Sequence, residues 1–518
     1  MFSLMSRQRI PTWFPRSRQD SSGPSSLLKK LPGVIAGTTF AGHLLLALTH
    51  GGPVAVPDVP AYLYFQQRLF GAAEISEVPF FPGYGLLLAP LGSVSGDVLH
   101  TAALIFNGMC AGLVVIGAAF FARQLGGSDR VSLYAAIIAA VHPAISNASR
   151  IAWPETVLAV LVLGVAIALC SGRPSWRLLG GALAGLAAMF HPRMIVVGVA
   201  IAAIGLLYNG YRRSLISFLT VFGFSMAVVV TAGVWPSARI NAGLTWPERP
   251  GPIVTIGGQF VSLVASTGGL AAVGLLVGFL VLLKSVRDRD VNPAAVFLSV
   301  SSAGMLLLGG WVIAGSDRSD TLLYGRYIDP WIVPLTIVGM VFLAQTQPGK
   351  KKTACLTVLT VLAGLVSFSA ADGVELLGRR IMTSSLGVFW DLSDGRVRPA
   401  VVCAVGVAVV GLLCAGSRSN LRLTAPLALC CLLAAASTFS NHKYLDDVGQ
   451  VAEGQSRAVS SLPAGSLCLS HDAGSTKNYA IWLYRLQTPE LEHRRINLST
   501  GEEPCGDYAI AGHDAMAT

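Results

Sequence analysis

Apolar runs of about 18 to 22 residues recur along this chain, broken by short polar turns. Wound as a helix, a run of that length matches the hydrocarbon thickness of a bilayer. About thirteen can be counted, near 32–49, 98–121, 131–149, 155–171, 178–190, 194–209, 214–235, 261–283, 293–315, 328–345, 353–370, 399–416 and 423–440. Hydrophobic residues make up 53% of the chain and charged residues 12%, which excludes a soluble domain of this length. The expected fold is an all-α polytopic membrane protein with a transmembrane domain over 32–440. Residues 1–31 are polar and basic and lack the apolar core of a signal peptide, so a disordered cytoplasmic tail is expected there.

The net charge of +10 reports orientation and is not a nucleic-acid footprint. With the N-terminus inside, the inner turns carry Arg123 and Arg130, Arg173 and Arg177, Arg212 and Arg213, Lys284, Arg287 and Arg289, Lys350 to Lys352, and Arg418 and Arg422. Each is basic, as cytoplasmic turns should be. That register makes the chain a multi-pass plasma-membrane protein. It sends the first outer loop (50–97), the loops 235–259, 316–327 and 371–398, and the C-terminal segment to the exoplasmic side.

Residues 441–518 are expected to form a small exoplasmic α/β unit. Residues 467–470 and 507–511 read as strands, with an amphipathic helix over 476–486 between them. Seven cysteines lie in or beside apolar runs without metal-ligand spacing, but Cys468 and Cys505 stand in this polar unit. A pair in one small piece facing an oxidising compartment suits a disulfide.

Three stretches carry residues suited to chemistry. The first is 57–90, where Asp58 follows the first apolar run and precedes Tyr62, Phe65 and Phe70, the acids Glu74 and Glu77, and a turn at Pro82, Gly83 and Tyr84. A charge at the hydrocarbon edge is costly and persists where it has work or a partner. Asp58 reads either as the N-terminal cap of a helix starting near Pro60 or as a general base for an acceptor hydroxyl. Glu77 has three open roles: orienting the acceptor, sharing a divalent cation with Asp58, or capping a turn. Tyr62 and Tyr84 are the aromatic candidates for holding the acceptor.

The second stretch is RIAWPE, from Arg150 to Glu155. Glu155 in a first helical turn suits the helix dipole, and it is also a candidate for orienting the acceptor. Arg150 either pairs with Glu155 or assists a phosphate. The third is YGRYIDP, with Arg326 and Tyr327 at the start of the tenth run. An Arg there either snorkels to the lipid boundary or presents a planar fork to a phosphate, beside a Gly that permits close approach. Arg193, beside His191 and Pro192, is a weaker instance of the same pattern. Walker A, Gly-x-Ser-x-Gly and His-Glu-x-x-His motifs are absent from the sequence.

An acid in the first outer loop, an aromatic segment after it, a Pro-rich stretch entering the second run and a Glu opening the fourth resemble the GT-C superfamily. These are polytopic glycosyltransferases that use polyprenyl-phosphate sugars, among them protein O-mannosyltransferases, lipid A aminoarabinose transferases and mycobacterial arabinofuranosyl- and mannosyltransferases. The resemblance covers roughly 32–345. It implies a donor that is a polyprenyl-phosphate sugar, an acceptor that is a cell-envelope glycan, lipid or protein, and inverting transfer. It makes Asp58 the catalytic base, Glu77 the second acid and Arg326 the phosphate-binding residue. Many relatives carry paired acids in the first loop, whereas Val59 and Pro60 follow Asp58 here. A flippase for lipid-linked glycans and a surface-polysaccharide polymerase or ligase are the competing readings. The charge register has its own check: a probe confined to the outside should label Asp58→Cys and should fail to label Lys351→Cys.

Overall fold

The computed structural model describes residues 26–49, 58–70, 80–234, 251–288, 292–314, 319–346, 358–365, 380–392, 398–409 and 421–511, apart from scattered positions within those stretches. Helix α1 (Ser26–Thr49) is followed by two short helices, α2 (Asp58–Leu69) and α3 (Gly83–Leu88). Helices α4 (Gly96–Gln124), α5 (Asp129–Val141) and the single turn α6 (Pro143–Ser146) come next. After them run α7 (Glu155–Cys170), α8 (Pro174–Ala187), α9 (Ile195–Leu207) and α10 (Arg212–Thr231). The second half holds α11 (Pro252–Ser266), α12 (Leu270–Asp288), α13 (Pro293–Ile313), α14 (Ser319–Leu322), α15 (Asp329–Gln345), α16 (Gly387–Asp391) and α17 (Leu421–Ser460).

Burial shows which solvent these helices face. Met109, Leu113, Ile116 and Phe120 of α4 are exposed at spacings of four, three and four, forming one apolar stripe on the outside. Ile216, Leu219 and Phe224 of α10 are likewise exposed. Water would penalise such stripes and lipid does not, so the bundle is a multi-pass membrane protein. Among the described residues five helices are long and apolar enough to cross a bilayer, or seven if each bent pair counts as one span. Three shorter apolar helices join them: Glu155–Cys170, Pro192–Leu207 and Asp329–Gln345.

Helices α7 and α15 are buried nearly all round and pack on each other at the centre. Elsewhere helices approach through glycine. A Cβ on Gly274 of α12 would land on the Leu335 carbonyl oxygen of α15, and one on Gly339 would land on the Leu270 carbonyl oxygen. In lipid, where apolar surface alone does not drive association, that approach is what packs the pair. Helix α3 is a wedge of the same kind. Gly83 N–H donates to the Met189 carbonyl at 3.1 Å, and a Cβ there would come 2.8 Å from that oxygen. A Cβ on Gly85 would come 2.9 Å from the Gln66 nitrogen of α2. The wedge thus holds α2 against the turn after α8.

Several sequence expectations change. The eighth run is not one span, because α11 and α12 meet at a 117° bend across Thr267, Gly268 and Gly269. Gly268 and Gly269 both take positive φ, which lets the chain turn where an apolar count reads straight through. The third run bends by 51° at His142–Pro143. The boundary expected at 440–441 falls inside α17, which continues to Ser460. The runs 353–370 and 399–416 lie largely outside the described residues, as does most of the 476–486 segment.

The C-terminal sheet has three parallel strands, β1 (Cys468–Asp472), β2 (Glu492–Ile496) and β3 (Tyr508–Ile510), in the order β2–β1–β3. Cys468 pairs with Glu492 in register and Leu469 with Tyr508. The central strand is buried throughout; His471 stacks on Tyr484 and shares a hydrogen bond with His493, Nε2 to Nδ1 at 2.8 Å. A disulfide joins Cys468 to Cys505. Strand β2 was not anticipated. Its residues EHRRI bury only His493 and Ile496, so apolar alternation is nearly silent there.

Gly274→Ala or Gly339→Ala should destabilise the bundle by about 1–3 kcal/mol or more through overpacking. Gly223→Ala on α10, where an added Cβ meets nothing within 4 Å, should not. Thermal unfolding in detergent compares them.

Candidate active site

The two central helices start at the same end of the bundle, and the charges meet there. Glu155 opens α7, and Arg326 lies in the turn that leads into α15. Arg326 Nε donates to Glu155 Oε1 at 2.6 Å, and its Nη1 donates to Asp58 Oδ2 at the first residue of α2. The other Glu155 oxygen accepts from Arg193 Nη2. Four charges from four separated segments form one chain, Asp58–Arg326–Glu155–Arg193, with two of each sign.

Arg326, Glu155 and Arg193 are only 3%, 3% and 4% exposed, so surface ion-pair energetics do not apply. Burial opposes the Arg326 charge, yet Glu155 and Asp58 outweigh it and hold its pKa well above the ordinary value. Its guanidinium carbon lies 4.2 Å from the Trp153 ring centre, and that of Arg193 lies 4.9 Å from Tyr327. Burial also pushes the phenols of Tyr62, Tyr324 and Tyr327 upward, so they remain neutral hydroxyl donors. The cluster is not saturated: Arg326 Nη2 and Arg193 Nε and Nη1 are buried without a hydrogen-bond partner among the described residues.

Local structure sets each member. Asn107 of α4 donates to the carbonyls of Ile151 at 2.7 Å and Trp153 at 3.2 Å, pinning the bent link before Glu155. The His191 ring accepts from Arg193 N–H and caps the short 3-10 turn Pro192–Met194. The Gly325 carbonyl accepts from Ile328 and Asp329 N–H, starting α15, while Asp329 accepts from Ser385 Oγ at 2.9 Å. Met382 receives Arg326 N–H on its carbonyl and the Tyr324 hydroxyl on its sulfur. Among the described residues no group of three or more His, Cys, Asp or Glu converges as metal ligands.

Dolichyl-phosphate-mannose-protein mannosyltransferase is the family description that matches this chain, over residues 79–236. In structure the chain is similar to ArnT from Cupriavidus metallidurans bound to undecaprenyl phosphate. The TM-score is 0.52 at 14% identity, over 91% of this chain and 86% of that one. The apo state of ArnT gives 0.51 at 14% identity, over 93% and 86%. The chain has a GT-C fold. Arabinosyltransferase EmbB from Mycobacterium smegmatis scores 0.44 at 12% identity, over 82% of this chain and 42% of that one, too weak a likeness to carry an argument. No curated protein matches the chain in sequence.

Within this GT-C fold, Asp58, Glu155, Arg193, Arg326 and Tyr327 come together, with Tyr62 packed one helical turn beyond Asp58. Asp58 and Arg326 are in direct contact through Nη1 and Oδ2. Arg150 lies apart from the cluster and does not pair with Glu155. It donates to Asp446 at 2.5 Å and to His442, both on α17, because the link at Ile151–Trp153 turns the two side chains away from each other. Tyr84 is fully buried, its hydroxyl turned to the Ala103 carbonyl at 3.4 Å, so it packs the wedge. Gly325 is not sterically required, since an added Cβ would meet only Asp329 Oδ1 at 3.6 Å. Glu77 lies outside the described residues.

Trp153, Asn107, Asp329 and Met382 were not anticipated in these roles. A lone Asn inside an apolar run and an acid opening another were the available signals for Asn107 and Asp329. Glu155→Gln should cost about 3–5 kcal/mol, since it leaves two buried guanidiniums short of a counter-charge. Asp58→Asn, at a partly exposed position, should cost much less, and Gly325→Ala should be close to neutral. Unfolding midpoints of the three variants check this order.

Proposed function

We propose that the protein is a membrane glycosyltransferase that takes a sugar from a polyprenyl-phosphate donor and places it, with inversion, on a hydroxyl of a cell-envelope glycan, lipid or protein at the exoplasmic face. The carrying observation is that two guanidiniums share one buried carboxylate and still keep three donor positions unfilled. A phosphate monoanion or diester fits such a fork, and the N-terminal ends of α7 and α15 favour negative charge beside it. ArnT was crystallised with undecaprenyl phosphate, which supports a lipid phosphate as the leaving group here.

The proposed step follows from the exposures. Glu155 is buried and fixed by two partners, whereas the Asp58 side chain is about a fifth exposed, at 21%. A donor phosphate arriving at Arg326 competes with Asp58 for Nη1 and frees its carboxylate. Asp58 then accepts the proton of the acceptor hydroxyl as that oxygen bonds to the anomeric carbon. The bond from the anomeric carbon to the phosphate oxygen breaks, and polyprenyl phosphate leaves with the electron pair. Arg326 and Arg193 meet the charge that grows on the phosphate, where a preorganised cation lowers the barrier most. A flippase would want charges strung along a path through the membrane; here they are gathered at one end of two helices, which favours chemistry.

Purified protein offered a panel of polyprenyl-phosphate sugars should release free polyprenyl phosphate. Asp58→Asn should lower kcat by about 10²–10⁴-fold, and Arg326→Lys by about 10²–10³-fold. Release that is unchanged in Asp58→Asn removes the base assignment.

A further inference from the structure

Helix α11 carries a polar feature that the step above leaves unused. Thr255, Gln259, Ser262 and Ser266 follow at spacings of four, three and four, so they share one face of the helix, and all are buried. Ser262 ties this face to the active site: its hydroxyl lies 3.1 Å from the Leu323 carbonyl, which it reaches as donor, three residues before Arg326. One turn back, Gln259 has no such use. It is 0% exposed, and among the described residues neither Oε1 nor Nε2 has a hydrogen-bond partner. Thr255 Oγ1, also fully buried, has none either.

The Gln259 amide is close to the charged cluster. A Cβ built on Gly309 of α13 would lie 3.1 Å from Gln259 Oε1, 3.2 Å from Nε2 and 3.2 Å from Tyr327 Cδ2. Amide and tyrosine edge therefore converge over bare backbone, and the face of that tyrosine lies against Arg193. A buried amide with nothing to bond is destabilising unless a polar group arrives to meet it.

We propose that Gln259, with Thr255 one turn away, reads the hydroxyl groups of the donor sugar. This rests on the polyprenyl-phosphate reading of the site. With the phosphate on Arg193 and Arg326, the attached sugar reaches the Gln259 amide by parting it from the Tyr327 edge that it meets over Gly309. There the amide oxygen accepts from one ring hydroxyl while the NH₂ donates to its neighbour, and the Thr255 hydroxyl serves a third position. A hydroxylated ring suits this wall because an amide both donates and accepts at one edge. A site built to bond a hydroxyl rejects the analogue that lacks it far more strongly than an apolar pocket can.

The test uses the full-length protein, the polyprenyl-phosphate sugar that it turns over best, and analogues of that donor lacking one hydroxyl at a time. Wild type should prefer the parent over at least one deoxy donor by about 10²-fold or more in kcat/KM. Gln259→Met or Thr255→Val should cut that preference at least about tenfold, chiefly by raising KM for the parent. Binding of undecaprenyl phosphate alone should stay unchanged, and the donor-free Tm should hold or rise because an unmet polar group has been removed. If both variants keep the wild-type preference, or if Gln259→Met lowers Tm while discrimination stays intact, the residue is structural and the assignment falls while the transferase reading stands. If wild type releases polyprenyl phosphate from no donor, the transferase reading falls and takes this assignment with it.

Discussion

One carboxylate shared by two buried guanidiniums organises the functional end of this protein. Glu155 neutralises Arg326 through one oxygen and Arg193 through the other, and Arg326 reaches on to Asp58. Charges this deep persist only when paired and hydrogen-bonded, so the arrangement determines how four separated segments meet. Remove the shared acid and both cations lose the carboxylate that hydrogen-bonds them; Asp58 bonds only Arg326. A site held this way is rigid before any substrate arrives, which suits the stabilisation of charge that appears only as a bond breaks.

The rest of the fold serves that contact. Helices α7 and α15 are buried on every side, and the site lies at their N-terminal ends, where helix dipoles favour anions. The outer helices turn apolar stripes to lipid and approach one another where glycine leaves room for backbone. The α3 wedge holds α2, and therefore Asp58, at the rim. This division fits the roles proposed for the two acids on the same arginine, the enclosed one holding the cations and the rim one giving way to substrate.

The residues recognised from sequence were charges in apolar surroundings. Asp58, Arg193 and Arg326 stood out because each sits where a charge is costly, and the structure brings them into one chain of contacts. The pairing of Arg150 with Glu155 failed for an instructive reason. Five residues apart on a helix, two side chains point away from or past each other according to the turn, and here a bent link intervenes and Arg150 meets α17. Gln259 went unnoticed because it stood at the end of the expected outer loop 235–259, just before an apolar run, where a polar residue is ordinary. Strand β2 was missed for the opposite reason, being mostly charged with two inward residues. The break between α11 and α12 was hidden because apolar length says nothing of direction, and two adjacent glycines changed it.

Composition and run length, by themselves, determined that this chain lives in a bilayer as many helices. Hydrocarbon leaves few ways to satisfy a backbone, and twenty apolar residues satisfy it in one. The spacing of isolated charges also marked which loops were costly enough to matter. Which acid meets which arginine was decided only by tertiary structure, because a buried ion pair depends on separations of a few ångströms between segments hundreds of residues apart. No local pattern records those separations. They are set by how closely glycine lets the helices approach and by where the central pair begins.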